Sequence, residues 1–214
     1  MRREAGSGLV SAAAVGSRKK RVVLGVTGAS GAPYAKRLAG LLRGRDDVEV
    51  AACLSSTAPE VWALECGGDI REELGLLGLP VWGARDYRAP FASGSAGWDA
   101  MVIVPCSMGT VARIAHGTSE TLLTRAADVM LKERRTLIVV PRETPLSTLH
   151  LENLTTVSRY GALVLPAMPS FYAGERSLEG AIDTVIARVL DHLGLPHEVG
   201  RRWGDGAQAE SRRP

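Results

Sequence analysis

The chain has 214 residues, 45% of them hydrophobic and 23% charged, which is enough apolar material for one domain with a sizeable core and requires no second domain. Its formal net charge of +3 comes from the front, where residues 1–21 carry six basic side chains and one acidic, so the remainder is mildly acidic. With two Phe and no Lys/Arg stripe interleaved with aromatics, nucleic-acid binding is disfavoured.

Residues 1–20 read as a disordered basic extension, rich in Gly, Ala and Ser, with an apolar part too short and weak for a signal peptide or a membrane span. The folded unit is expected over residues 21–203, with residues 204–214 as a flexible polar tail. Three cysteines, Cys53, Cys66 and Cys106, show no CxxC or Cys/His spacing, which fits a reducing cytoplasm without disulfides and gives no metal motif. Cys53 and Cys106 lie in apolar runs and read as core packing.

The stretch Val22-Val23-Leu24-Gly25-Val26-Thr27-Gly28-Ala29-Ser30-Gly31 organises the rest of the chain. It is an apolar, β-branched run, as in a strand buried on both faces of a parallel sheet, and it ends in a glycine turn. Residues 33–42 then show Tyr34, Leu38, Leu41 and Leu42 at helical spacing. Gly28 and Gly31 let backbone approach a ligand where free helix N–H groups point, which makes an anion site. Alone, this element marks a phosphate-bearing ligand no better than it marks any α/β protein.

A second strand is expected over Val48–Leu54, closing on Ser55-Ser56. No Asp or Glu ends it, and the first turn is GxxGxxG, so NAD is disfavoured while a mononucleotide stays open. A helix over residues 58–65 comes next, and its Glu65 either leans back over the site or is a solvated helix-end charge. Residues 67–97 loosen into Gly, Pro and short apolar pieces, as in a functional or mobile loop. A third strand, residues 101–105, closes on Cys106-Ser107-Met108-Gly109-Thr110, a second hydroxyl-bearing helix start at a strand's carboxyl end.

A helix over residues 121–135 places Arg125, Asp128 and Lys132 on one face. The fourth strand, residues 136–140, ends in Pro141-Arg142-Glu143-Thr144-Pro145, which puts an anion clamp beside an acid/base group. A helix with His150 and Glu152, a fifth strand over residues 162–165 and an amphipathic helix over Leu178–Leu193 complete the chain. The fold expected from this order is α/β, a single doubly wound parallel sheet in a three-layer, Rossmann/flavodoxin-like αβα arrangement.

The segments Thr27-Gly28-Ala29-Ser30-Gly31, Ala92-Ser93-Gly94-Ser95, Pro105-Cys106-Ser107, Arg125-Ala126-Ala127-Asp128-Val129, Leu131-Lys132-Glu133-Arg134-Arg135, Pro141-Arg142-Glu143-Thr144-Pro145 and His150-Leu151-Glu152-Asn153 together resemble the UbiX-type flavin prenyltransferases, in the same order. The resemblance implies an enzyme that transfers a dimethylallyl group from dimethylallyl monophosphate to N5 and C6 of reduced FMN, without a metal ion. The product, prenylated FMN, serves a UbiD-type decarboxylase, and relatives assemble as homododecamers.

The same resemblance implies residue roles. Gly28, Ala29 and Ser30, with Ser55, Ser107, Met108, Gly109, Thr110 and Arg142, match the flavin site. Lys132, Arg142, Glu143, Tyr172 and Arg188 match the prenyl-phosphate site, the last two supplied by a neighbouring subunit. Glu143 matches the residue that assists phosphate departure, and Ser30 with Glu65 matches a proton relay. Met108 departs from the Thr of many members and removes a side-chain hydroxyl near the flavin. Two alternatives share the fold and FMN: a cysteine-decarboxylating enzyme, and a non-catalytic FMN carrier subunit of an aromatic acid decarboxylase. The first carries an early active-site His and a Pro-Ala-Ser-Ala-Asn step, whereas the first histidine here is His116. The second has no need of the phosphate-binding set.

Overall fold

The computed structural model describes residues 18–172, 174–200 and 202. Of the expected basic extension only Arg18, Lys19 and Lys20 fall among them, and residues 203–214 lie outside them. Lys20 already belongs to the first strand, one residue before the expected start of the folded unit. Its N–H donates to the Asp47 carbonyl at 2.8 Å and its ammonium reaches the Leu193 carbonyl.

Six strands, β1 (Lys20–Val26), β2 (Val48–Leu54), β3 (Val81–Trp82), β4 (Ala100–Cys106), β5 (Thr136–Pro141) and β6 (Leu163–Val164), pair in parallel in the order β3-β2-β1-β4-β5-β6. The chain winds from β1 to one edge, returns to β4 and winds to the other. The direction of winding therefore reverses between β1 and β4, where an open parallel sheet leaves a crevice at its carboxyl ends. This is the doubly wound sheet expected from the strand and helix pattern.

Side chains alternate across the sheet. Val22, Leu24, Val26, Val102, Val104, Ile138 and Val140 face α1 (Ala32–Leu42), α2 (Ala58–Cys66), α3 (Ile70–Leu76) and α7 (Leu178–Leu193). Val23, Met101, Ile103, Leu137 and Val139 face α4 (Met108–Ala115), α5 (Leu122–Lys132) and α6 (Thr148–Arg159). Both faces are covered, which is why the strands read as unbroken apolar runs.

The structure differs from expectation between residues 67 and 97. Asp69 starts α3 by accepting the Arg71 and Glu72 N–H groups at 2.8 and 3.0 Å, and Val81 and Trp82 add a short edge strand beside Ala52 and Cys53. The longest stretch without strand or α-helix here is residues 83–99. That loop is pinned by buried Phe91, which stands edge-on to Trp82 and Trp98 at centroid distances of 6.4 and 5.6 Å. Arg125 Nε donates to the Ala92 carbonyl at 3.2 Å and Arg135 Nη2 to the Gly94 carbonyl at 2.8 Å, so the Ser93-Gly94-Ser95 step lies against the end of α5. Phe91→Ala is expected to cost about 3–5 kcal/mol in denaturant unfolding and to open residues 83–97 to proteolysis. A loss under about 1 kcal/mol would show that the loop is held elsewhere.

Candidate active site

The crevice between β1 and β4 is closed by one buried hydroxyl. Thr27, 2% exposed, donates its O–H to the Pro105 carbonyl at 2.8 Å and accepts the Ser107 N–H at 2.9 Å, joining the two strand ends. Neighbouring ends are tied in as well: the Ser55 N–H donates to the Val26 carbonyl at 2.9 Å, and Arg142 Nε to the Ser30 carbonyl at 2.9 Å. Four strands therefore deliver Gly28–Ser30, Ser55, Ser107–Thr110 and Arg142 to one edge.

Two glycines of the first turn have separate causes. Gly31 is the residue before α1 and has φ of 122°, a conformation that side-chain-bearing residues rarely adopt. At Gly28 a Cβ would lie 2.1 Å from Thr57 Oγ1 and 2.6 Å from Thr57 Cβ. The close approach at Gly28 is thus to the start of α2. Thr57, whose Oγ1 lies 3.2 Å from Ser55 Oγ, roofs the first turn; sequence reasoning missed it, although a Thr just before Ala58-Pro59 is a helix-start signal.

The first turn of α1 is already occupied. The Gly31 and Ala32 N–H groups both donate to Glu65 Oε2 at 2.8 Å, and the Ser30 hydroxyl bonds the same carboxylate. Glu65, on α2, does lean back over the turn. Partial burial pushes its carboxyl up, but the bonds from Ser30, Gly31 and Ala32 and the charge of Arg142 outweigh this and hold it below the usual carboxylate range. The expected anion site at this helix start is filled by a side chain of the protein itself.

At the second turn, Ser107 Oγ accepts the Thr110 N–H at 3.3 Å and lies 3.0 Å from Thr110 Oγ1. Met108 is buried in the apolar cluster under α4, so only its backbone faces the crevice, and Gly109 is exposed. The N–H groups of Met108 and Gly109 stand in the first helical turn, where they have no carbonyl four residues back. Cys53 and Cys106 are buried; burial pushes the Cys53 thiol up to about 12 and Cys106 higher still, so both stay neutral. Among the described residues no group of three His, Cys, Asp or Glu side chains is placed to hold a metal ion.

The remaining expected phosphate ligands are not brought together within one chain. Glu143 follows Arg142 at the carboxyl edge, exposed, with Oε1 accepting the Thr144 N–H at 3.0 Å. Lys132 precedes β5 and pairs with Glu133, so the six residues of β5, about 20 Å at 3.3 Å each, separate it from Arg142. Arg188 is on α7, across the sheet from Lys132, in the half of the helix that ends at Leu193 beside the start of β1. Tyr172 is exposed on the segment after β6.

Thr27→Val is expected to leave the half-buried Ser107 N–H without its acceptor and to cost about 1–3 kcal/mol in thermal unfolding, with Thr27→Ser near the parent. Equal losses in both would assign the effect to packing. Glu65 has a lowered folded-state pKa, so it stabilises the fold above the unfolded glutamate value of about 4.3 and loses that contribution as pH falls through the lowered value. Glu65→Gln should therefore be less stable than the parent at neutral pH and lose less stability between about pH 5 and pH 3. Parallel stability curves would contradict this.

A family model described as Flavoprotein matches residues 11–190. The flavin prenyltransferase UbiX of Methanothermobacter thermautotrophicus is 45% identical over 187 residues, covering 86% of this chain and 95% of that protein. Two solved structures superpose closely: a dodecameric FMN-dependent UbiX-like decarboxylase from Escherichia coli O157:H7, at TM-score 0.82 and 42% identity over 86% of this chain and 98% of that one, and AnUbiX (PadA1) in complex with FMN and dimethylallyl pyrophosphate, at 0.83 and 40% over 87% and 98%. With this likeness running along nearly the whole described chain, and the switch-point crevice carrying the expected turns, the chain belongs to the flavoprotein family, in its branch of UbiX-type flavin prenyltransferases.

Proposed function

We propose that the chain transfers a dimethylallyl group from dimethylallyl monophosphate to N5 and C6 of reduced FMN, releasing phosphate and the prenylated flavin. The observation that carries this reading is the Arg142 contact on the Ser30 carbonyl. It draws the first turn, Glu65 and Glu143 to the crevice where an open parallel sheet takes a nucleotide. The donor set suits FMN: the hydroxyls of Ser30, Ser55, Ser107 and Thr110, the Met108 and Gly109 N–H groups, the turn at Gly28 and Ala29, and the Arg142 fork. Bound there, reduced FMN supplies the nucleophilic ring.

A monophosphate is a poor leaving group, so cations and a proton donor must stabilise its departure. Arg142 and Glu143 serve that purpose at the carboxyl edge, Glu143 handing a proton to the leaving phosphate. Ser30 and Glu65 form the relay that removes a proton on the flavin side. Lys132, Tyr172 and Arg188 join from neighbouring copies, because a single chain keeps Lys132 and Arg188 on opposite faces of the sheet. Exposed Leu149, Leu151, Tyr160, Met168, Phe171 and Tyr172 offer the apolar surface for such an assembly, and the dodecameric relative supports twelve copies. Among the described residues no helix is long and apolar enough to cross a membrane. Three unpaired cysteines fit a reducing cytoplasm. A UbiD-type decarboxylase is the proposed recipient of the product.

Glu143→Gln is expected to keep FMN bound and to reduce prenyl transfer by at least about a hundredfold, read from the mass of the flavin after anaerobic incubation. Parent-level turnover would remove Glu143 from the mechanism.

A further inference from the structure

The end of α7 and the segment after it converge on one carboxylate. Asp191 Oδ2 accepts from Arg188 Nη1 at 2.8 Å; its Oδ1 accepts from Arg202 Nη2 at 2.9 Å and lies 3.1 Å from His197 Nε2. The His197 side chain is 5% exposed, and its Nδ1 accepts the Val199 N–H at 3.2 Å. With Nδ1 an acceptor, the proton of the neutral ring sits on Nε2, so the imidazole is a donor to Asp191.

An exposed ion pair three residues apart on a helix is worth a few tenths of a kcal/mol and does not by itself fix a guanidinium. Asp191 differs from that case because it is anchored from its other side. The buried ring and Arg202 hold Oδ1 whether or not Arg188 is present. Burial pushes the carboxyl up, but the hydrogen bonds from His197 and Arg202 and the charge of Arg202 lower it overall, so it stays ionised. Asp191 engages only the Nη1 end of Arg188, and among the described residues it is that side chain's one hydrogen-bonding partner. The rest of the five-donor fork is left for an anion. Two guanidiniums on one carboxylate also leave a net positive charge for an incoming phosphate.

We propose that Asp191, anchored by His197, is a positioning residue for Arg188. It sets the orientation in which the guanidinium meets the prenyl phosphate, and it ties phosphate affinity to the placement of His197, Val199 and Arg202 beside α7. This rests on the reading of Arg188 as a phosphate ligand in the assembled enzyme.

The test compares Asp191→Asn, Arg188→Ala and the double variant as intact oligomers, measuring KM for dimethylallyl monophosphate, kcat, FMN affinity and Tm. Asp191→Asn should raise KM roughly tenfold with FMN affinity unchanged, and should add nothing to KM in the Arg188→Ala background, even though its effect on Tm persists there. His197→Gln, which keeps a donor near the Nε2 position, should stay close to the parent, whereas His197→Ala should raise KM as Asp191→Asn does. If Asp191→Asn fails to assemble, the two His197 variants decide the matter by the same comparison. Multiplying KM effects in the double variant, or equal KM for His197→Gln and His197→Ala, overturns the positioning role. An unchanged KM in Arg188→Ala itself refutes the reading of Arg188, which is a different failure from a raised KM there with an unchanged one in Asp191→Asn.

Discussion

The site hangs on the hydroxyl of Thr27. In a doubly wound sheet the strands on either side of the winding reversal part at their carboxyl ends, and β1 and β4 would diverge there without a tie. Thr27 supplies it with a single atom that donates to one strand end and accepts from the other. Because that atom is buried, leaving either bond unmade costs far more than the bond itself contributes. The Thr27 N–H donates to the same Pro105 carbonyl at 3.3 Å, so backbone and side chain of this one residue together hold the Gly28 turn beside the Ser107 helix start.

Around that tie the polar groups fall into two classes. Glu65 and the Ser107–Thr110 pair are oriented by bonds within the protein, the first to the start of α1 and the second at the start of α4. Arg142 spends Nε on the Ser30 carbonyl and keeps the rest of its fork at the rim. A single chain thus presents a built flavin crevice but only part of a phosphate clamp. Lys132 lies at the far end of β5 and Arg188 on the opposite face of the sheet, so the proposed clamp draws both from another copy.

The buried strands are legible in the sequence because both faces of the sheet are covered, so each central strand is an unbroken apolar run bounded by turn residues. The helix α3 and strand β3 are not, being seven and two residues long and set among Gly and Pro. The part played by Thr27 is hidden for another reason: its partners are 78 and 80 residues away, and no local pattern records such a bond. Gly28 reads as making room for a ligand, whereas the atom that needs the room belongs to Thr57. Met108 reads as a missing hydroxyl, yet its side chain points into the core. The separation of Lys132 from Arg142 does leave a signal, since a residue before a strand and a residue after it must lie at opposite ends.

The most direct measurement mixes the purified oligomer with reduced FMN and dimethylallyl monophosphate in the absence of air and takes the mass of the flavin it releases. Prenyl transfer predicts a gain of one dimethylallyl unit, with phosphate formed in equal amount. An unchanged flavin, bound tightly but unmodified, would contradict it and leave a protein that holds FMN for another purpose.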